Sequence, residues 1–216
     1  MTPLPLGPDE LLTTTRAVRR RLDLARPVPI ELVRECLEIA VQAPSGSSRQ
    51  WLHWVVVTEP EVRAAIGGYY RRAFAEHAAS GATAAALYED DPARAEAQRR
   101  VAASAAHLAE HMGEVPVLVV PCLRLDTGGL PEGNQAGLWG SLLPAAWSYA
   151  LAARARGLGT AWTSLHLAYE KEVAELLGLP ADVRQGALIP TAYYTGDTFR
   201  PAPRAPIDEI LHLDRW

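Results

Sequence analysis

The sequence predicts an α+β fold in which a small sheet lies between helices, and three patterns lead to it. Segments with apolar residues at helical spacing alternate with only a few short strand-like runs. The longest apolar helical stretch, 138–156, and the most continuous apolar strand, 115–122, both lie inside the chain and are candidates for its centre. Hydrophobic residues make up 49% and charged residues 21% of 216 positions, enough for one well-covered core, so a single domain over 1–216 is expected.

Each element has its local reason. Residues 1–10 carry three prolines and read as an extended arm. They lack a basic start followed by an apolar run, so no secretory signal is expected. The basic residues Arg16, Arg19, Arg20 and Arg21 follow, then Pro27-Val28-Pro29. Pro29 suits the first turn of a helix carrying Ile30, Val33, Leu37 and Ala40 on one face, which Ala43-Pro44 should end. A loop over 45–49 leads to a strand over 54–57, and Thr58-Glu59-Pro60-Glu61 has the form of a capping box for the next helix. Residues 67–112 are Ala-rich and helical in propensity without a continuous apolar stripe, which predicts a poor core element and a helical cover or lid. The strand over 115–122 is apolar at nearly every place, the pattern of a fully buried strand. Residues 126–134 hold four glycines and prolines and predict a loop. The central helix over 138–156 should end in a left-handed cap at Gly157. A strand over 160–163, a helix over 170–177 stopped by Gly178, a strand over 187–194, a Pro-rich arm over 200–206 and a tail over 207–216 complete the chain.

Composition narrows the function. A net charge of −4 gives no reason to expect nucleic acid or an anionic membrane as partner, so any anion site must be local. No stretch of about 18 apolar residues could span a bilayer, and a cytoplasmic protein is expected. Lys171 is the only lysine, so basic sites elsewhere are built from guanidinium or histidine. Cys36 and Cys122 lie in apolar runs and read as buried free thiols, with no disulfide framework or CxxC zinc pattern.

Four places could carry chemistry. Arg16 and Arg19, three apart, would share one side of a helical turn and could reach one anion; spacing alone does not separate this from a solvated basic face. Pro44-Ser45-Gly46-Ser47-Ser48 would let backbone N–H groups approach a ligand, although a helix-to-strand turn wants the same residues. Gly157-Leu158-Gly159-Thr160 follows a helix and precedes a strand, the reverse of the dinucleotide fingerprint, so a Rossmann fold is not supported. His107-Leu108-Ala109-Glu110-His111 matches the HxxEH zinc-peptidase pattern and is the alternative in another chemistry class, without a convincing helix for a third ligand. No Ser-His-Asp arrangement stands out. Trp51, Trp54, Trp139, Trp147, Trp162 and Trp216 read mostly as core or interface anchors.

In order along the chain, these segments resemble the nitroreductase family. Arg16-Ala17-Val18-Arg19 resembles its Arg-Ser-x-Arg element and Pro27-Val28-Pro29 its Pro-x-Pro. Ala43-Pro44-Ser45-Gly46-Ser47-Ser48-Arg49-Gln50 resembles its Ala-Pro-Ser-x-x-Asn-x-Gln turn, and Arg156-Gly157-Leu158-Gly159-Thr160 the Gly-Leu-Gly-Thr exit of its long helix. Glu175-Leu176-Leu177-Gly178-Leu179-Pro180, Leu188-Ile189-Pro190 and the tail from Arg204 to Trp216 complete the likeness.

The resemblance implies a small mixed or antiparallel central sheet and an intertwined homodimer with FMN at the subunit interface. It implies an oxidoreductase in which NADH or NADPH passes hydride through flavin N5 to a nitroaromatic, quinone or activated alkene, with ping-pong kinetics and no obligate protein acid or base. By position, Arg16 and Arg204 would pair with the FMN phosphate, Arg19 would approach the pyrimidine side, and Ala17 and Val18 would lie along the cofactor. Pro44, Ser45, Gly46 and Ser48 would reach the flavin of the other subunit, while Trp162, Thr163 and Ser164 would face its ring, the last two near N5. Ala17 stands where the family has Ser, Ser48 where it has Asn, and Trp51-Leu52 where it has Pro-Trp; Trp147 replaces a Gln or Asn. The cover has no Glu-x-x-x-Tyr pair and so does not resemble the iodotyrosine deiodinase branch. Two further alternatives keep the fold: an FMN-dependent oxidase or dehydrogenase of a specialised metabolite, and a relative that has lost flavin.

Overall fold

The computed structural model describes residues 3–81, 91–126 and 129–216. Its helices are α1 (Pro8–Thr14), α2 (Ile30–Ala40), α3 (Pro60–Ala79), α4 (Pro92–His111), α5 (Ala136–Ala155) and α6 (Glu170–Leu177). Its strands are β1 (Leu52–Val57), β2 (Val117–Arg124), β3 (Leu158–Thr160), β4 (Val183–Gln185) and β5 (Ile189–Tyr193). The sheet is antiparallel throughout and runs β1-β2-β5-β3, with β4 paired to the far end of β2.

β2 is the spine because both of its faces meet apolar layers, so alternation sorts its side chains rather than exposing half of them. Val117, Val119 and Leu123 pack with Leu32, Val33 and Cys36 of α2 and with Leu142, Ala146 and Tyr149 of α5. Leu118, Val120 and Cys122 pack on the other face with Ile66 and Tyr70 of α3, Leu108 and Ala109 of α4, and Val173 of α6. Pro121 has no N–H to give a ladder. It falls between the stretch of β2 paired with β5 and the stretch paired with β4. Both cysteines are free and buried, and burial raises their thiols to about 11 for Cys36 and about 12 for Cys122, which keeps them protonated.

Most expected elements are present, and the differences have local causes. Part of the N-terminal arm is helical: Pro8 opens α1, with Asp9 and Glu10 favouring its positive end. The capping box does not form. Glu59 is the N-cap residue of α3 without a side-chain cap bond, and Pro60 in the first turn sets the start instead. β4 was not expected, because three residues of mixed polarity carry no periodic signal. The strand expected over 160–163 is shifted to β3, and Thr163 keeps only an isolated bridge to Leu188. Gly157 and Gly178 take positive φ of 76° and 63° where the two helices end, as expected.

The stretch 67–112 is more than a cover at its two ends. Gly67, Tyr70 and Ala73 of α3 and Leu108, Ala109 and Met112 are buried. A Cβ on Gly67 would stand 2.5 Å from the Gly113 nitrogen, so the α3 backbone lies directly against the turn that enters β2. Residues 82–90 lie outside the described residues.

Candidate functional site

The arginine segment takes its place from the free edge of β3. After α1 the chain is extended: Ala17 bridges Thr160 in parallel, and the Val18 N–H donates to the Thr160 carbonyl at 2.8 Å. The helical turn expected over Arg16–Arg19 is therefore absent, because the backbone satisfies its polar groups on the sheet edge. Val18 is buried against Gly159, where any Cβ would sit 2.9 Å from that of Val18, so only glycine admits this approach. The chain then turns through Arg20 and Arg21 and bridges again at Leu22 to Tyr194.

That path gathers guanidinium groups. Arg16, Arg19, Arg20 and Arg21 line a cavity of about 300 Å³ with Ser104 and Arg200. Arg16 also borders a second depression of about 570 Å³, which Arg204 and Arg94 and Arg100 of α4 line as well. Among the described residues, neither lining contains an Asp or Glu. The C-terminal arm is steered there by Arg21 and by Arg154. Arg21 donates to the carbonyls of Thr195 (2.6 Å) and Thr198 (2.9 Å), and Arg154 donates to the Tyr194 hydroxyl at 2.8 Å. Both guanidiniums lie over the Phe199 ring, at 4.5 and 4.1 Å. Arg16 itself donates to the Arg200 carbonyl at 3.3 Å. Arg21 Nη2 and Arg154 Nε are buried without a hydrogen-bond partner, and among the described residues neither side chain has an acidic partner. Arg94 and Arg100 are paired with Asp91 and Glu96, while Arg16 and Arg204 have no acidic partner among the described residues, so a chain of charge −4 still gathers positive charge along one cleft, an arrangement that favours an anion.

Thr163 and Arg19 are joined by a residue that sequence spacing did not mark. Tyr70, 3% exposed on α3, shares a 2.8 Å hydrogen bond with the Thr163 hydroxyl. Burial raises the Tyr70 phenol above its ordinary value, opposed by that bond and by the Arg19 charge. Burial also pulls the Arg19 guanidinium below its ordinary value. Arg19 reaches the cover through Ser104 Oγ at 3.4 Å. Thr163 is half-buried and held by paired backbone bonds to Leu188, while Trp162 and Ser164 are exposed beside it.

The turn Pro44 to Ser48 lies elsewhere in the chain. The Gly46 N–H donates to Ser141 Oγ of α5 at 2.9 Å, and Pro44, Ser45, Gly46 and Ser48 line neither arginine cavity. Ser47 and Ser48 hold φ of 54° and 53°, the left-handed region, which costs about 1–2 kcal/mol for each residue with a Cβ. The HxxEH stretch ends α4. The His107 and His111 rings lie 4.5 Å apart, and His111 Nδ1 is bonded to Glu114 at 2.9 Å. Among the described residues no group of three or more His, Cys, Asp or Glu could hold a metal ion, so the zinc reading has no third ligand. Among the same residues, no helix is long and apolar enough to cross a membrane.

Comparison with known proteins agrees with this geometry. The sequence profile of the nitroreductase family matches residues 12–193. Among solved structures, the chain is similar to a BluB-like flavoprotein from Clostridium difficile 630, with 18% identity, TM-score 0.68, and coverage of 97% of this chain and 100% of that one. It is similar to a mutant of an FMN and NADPH-dependent nitroreductase from sphigopyxis sp. strain HMH, with 21% identity, TM-score 0.67, and coverage of 98% and 100%. It is also similar to oxidized iodotyrosine deiodinase bound to FMN and 3-iodo-L-tyrosine, with 19% identity, TM-score 0.66, and coverage of 96% and 98%. At these identities the likeness to each structure is one of fold.

Proposed function

The chain belongs to the nitroreductase family, and from that premise we propose that it is an FMN-dependent oxidoreductase that takes hydride from NADH or NADPH and reduces nitroaromatics, quinones or activated alkenes. The observation that carries this reading is the pair Arg16 and Arg204, which come from opposite ends of the chain to one depression that no carboxylate lines among the described residues. The residues present fit a phosphorylated flavin. Arg16 and Arg204 would hold the phosphate dianion by charge-assisted bonds, and Ala17 and Val18 would border the chain of the cofactor. Arg19 would lie at the pyrimidine side, where its positive charge favours electron acceptance. Trp162, Thr163 and Ser164 would face the ring. When bound, FMN supplies hydride acceptance and donation at N5.

The protein's own part is to bind, orient and exclude water. Tyr70 fixes the rotamer of Thr163 through their shared hydrogen bond. The α3 and α4 pair would serve as a lid, with Ser104 meeting Arg19. Oxidised substrate would take the place left by the hydride donor, which gives ping-pong kinetics. A second copy of the chain is the proposed partner, its Pro44, Ser45, Gly46 and Ser48 closing the site. Ile207, Ile210, Leu211, Leu213 and Trp216 of the tail are more than half exposed, an apolar surface for such a copy to cover.

Anaerobic stopped-flow mixing tests the direction of the reaction. With FMN loaded, NADH or NADPH is expected to bleach the visible flavin absorbance within the turnover time. Flavin that stays oxidised with both donors would instead assign the protein as an oxidase or dehydrogenase of a specialised metabolite. Protein that takes up no flavin would be the non-enzymatic relative.

A further inference from the structure

A second cavity, of about 370 Å³, lies between α3 and α4 and has none of the arginines in its lining. Phe74 and His77 form one wall, Ala102, Ala105 and Ala106 of α4 the other, and Leu165 closes the end. Tyr70, Phe74 and His77 are spaced four and three residues apart, so they share one face of α3. Tyr70 heads that row with its hydroxyl on Thr163, and Leu165 stands two residues beyond Thr163. The cavity therefore begins about one helical turn along α3, ~5.4 Å, from the tyrosine that bonds the threonine assigned to the reacting ring. Among the described residues its lining carries no carboxylate, ammonium or guanidinium, and the imidazole of His77 is the one polar side chain. The space exists because α4 presents alanines where leucine, also a good helix former, would fill it.

We infer that this cavity is a specificity subsite for an uncharged apolar substituent, an aryl or alkyl group, carried by the electron-accepting substrate. The substrate role rests on the flavin reading above. The fit is one of size and polarity. An apolar cavity of about 150 Å³ already accepts benzene, and this one is larger. A carboxylate or ammonium placed in it would give up part of its hydration with no opposite charge among the described lining residues and only the His77 imidazole to bond. The subsite thus selects substituted over bare rings and neutral over zwitterionic substrates.

The test compares kcat/KM for benzoquinone, phenylbenzoquinone and carboxyphenyl-benzoquinone in the FMN-loaded protein and in Ala102→Leu and Ala105→Leu. In the unaltered protein the phenyl compound is expected to be preferred over the parent by about tenfold or more, with the carboxylate cancelling the preference. Each leucine is expected to remove most of that preference while flavin content and the rate with benzoquinone stay within about twofold. The two variants lie on different turns of contact, so misfolding of one leaves the other to decide. Fluorescence of the neutral dye N-phenylnaphthylamine gives a readout that needs no flavin: it should rise on binding the unaltered chain and fall about tenfold in affinity in either variant. A phenyl preference that is absent, or that survives both leucines along with dye binding, overturns the subsite. Dye binding that responds to the leucines in a protein that takes up no FMN overturns the flavin reading and with it the substrate role.

Discussion

Replacing Arg16 or Arg204 by alanine is expected to weaken FMN binding by about 100-fold. A hydrogen bond to a charged group is worth about 1.5–3 kcal/mol, and each 1.4 kcal/mol is tenfold in affinity. The fold should be little affected. Arg16 is exposed and gives one long bond to the Arg200 carbonyl, and among the described residues Arg204 bonds only its neighbour Pro203, at 3.3 Å in both cases. Surface changes of this kind cost within about 0.5 kcal/mol. The melting temperature without flavin should therefore match the unaltered protein, while the rise in melting temperature on adding FMN shrinks in proportion to lost affinity. Flavin fluorescence titration measures the affinity directly. Alanine variants that bind FMN as tightly as the unaltered chain would remove the phosphate role from both arginines. Lysine at position 16 should recover part of the loss, as a point charge without the guanidinium fork.

The second large effect is on acid stability and belongs to His166. Its side chain is fully buried in the turn after β3, both ring nitrogens lack hydrogen-bond partners, and so does Gln185 Oε1. Burial lowers the imidazole to about 4, against a weaker upward pull from the Gln185 side chain. The unfolded chain binds a proton near pH 6.5, so the folded protein resists a proton that the unfolded one accepts. Stability is then complete above about pH 6.5 and is lost as pH falls through about 4. The gap of about two and a half units corresponds to about 3 kcal/mol at most. Urea denaturation at pH 7 and pH 4 should show that loss in the unaltered chain and a smaller one in His166→Leu, which cannot protonate there. Equal losses in the two proteins would show that His166 is not the group responsible.

Much of the fold was legible because its signals are local. The α2 face, the buried run of β2, the long α5 and the glycine caps at 157 and 178 each follow from periodicity or from one residue's backbone preference. What was not legible depends on partners distant in sequence. Residues 16–19 are extended only because β3 offers an edge and Gly159 makes room for Val18. Tyr70 sits in an Ala-rich stretch and gains meaning only when α3 carries it to Thr163. Arg21 and Arg154 read as ordinary basic residues, yet their stacking on Phe199 directs the arm that brings Arg204 to Arg16. Within the site, the likeness of ordered segments to the nitroreductase family pointed to Arg16 and Arg204 together. The turn Pro44 to Ser48 is not brought to that cleft within one chain.

Comparing FMN with riboflavin in the unaltered protein isolates the phosphate, since the two differ only there. If guanidiniums from the two ends of the chain converge on that group, FMN should bind at least about 100-fold more tightly, and added salt should narrow the difference. Equal affinity for the two, or affinity for neither, would contradict the account.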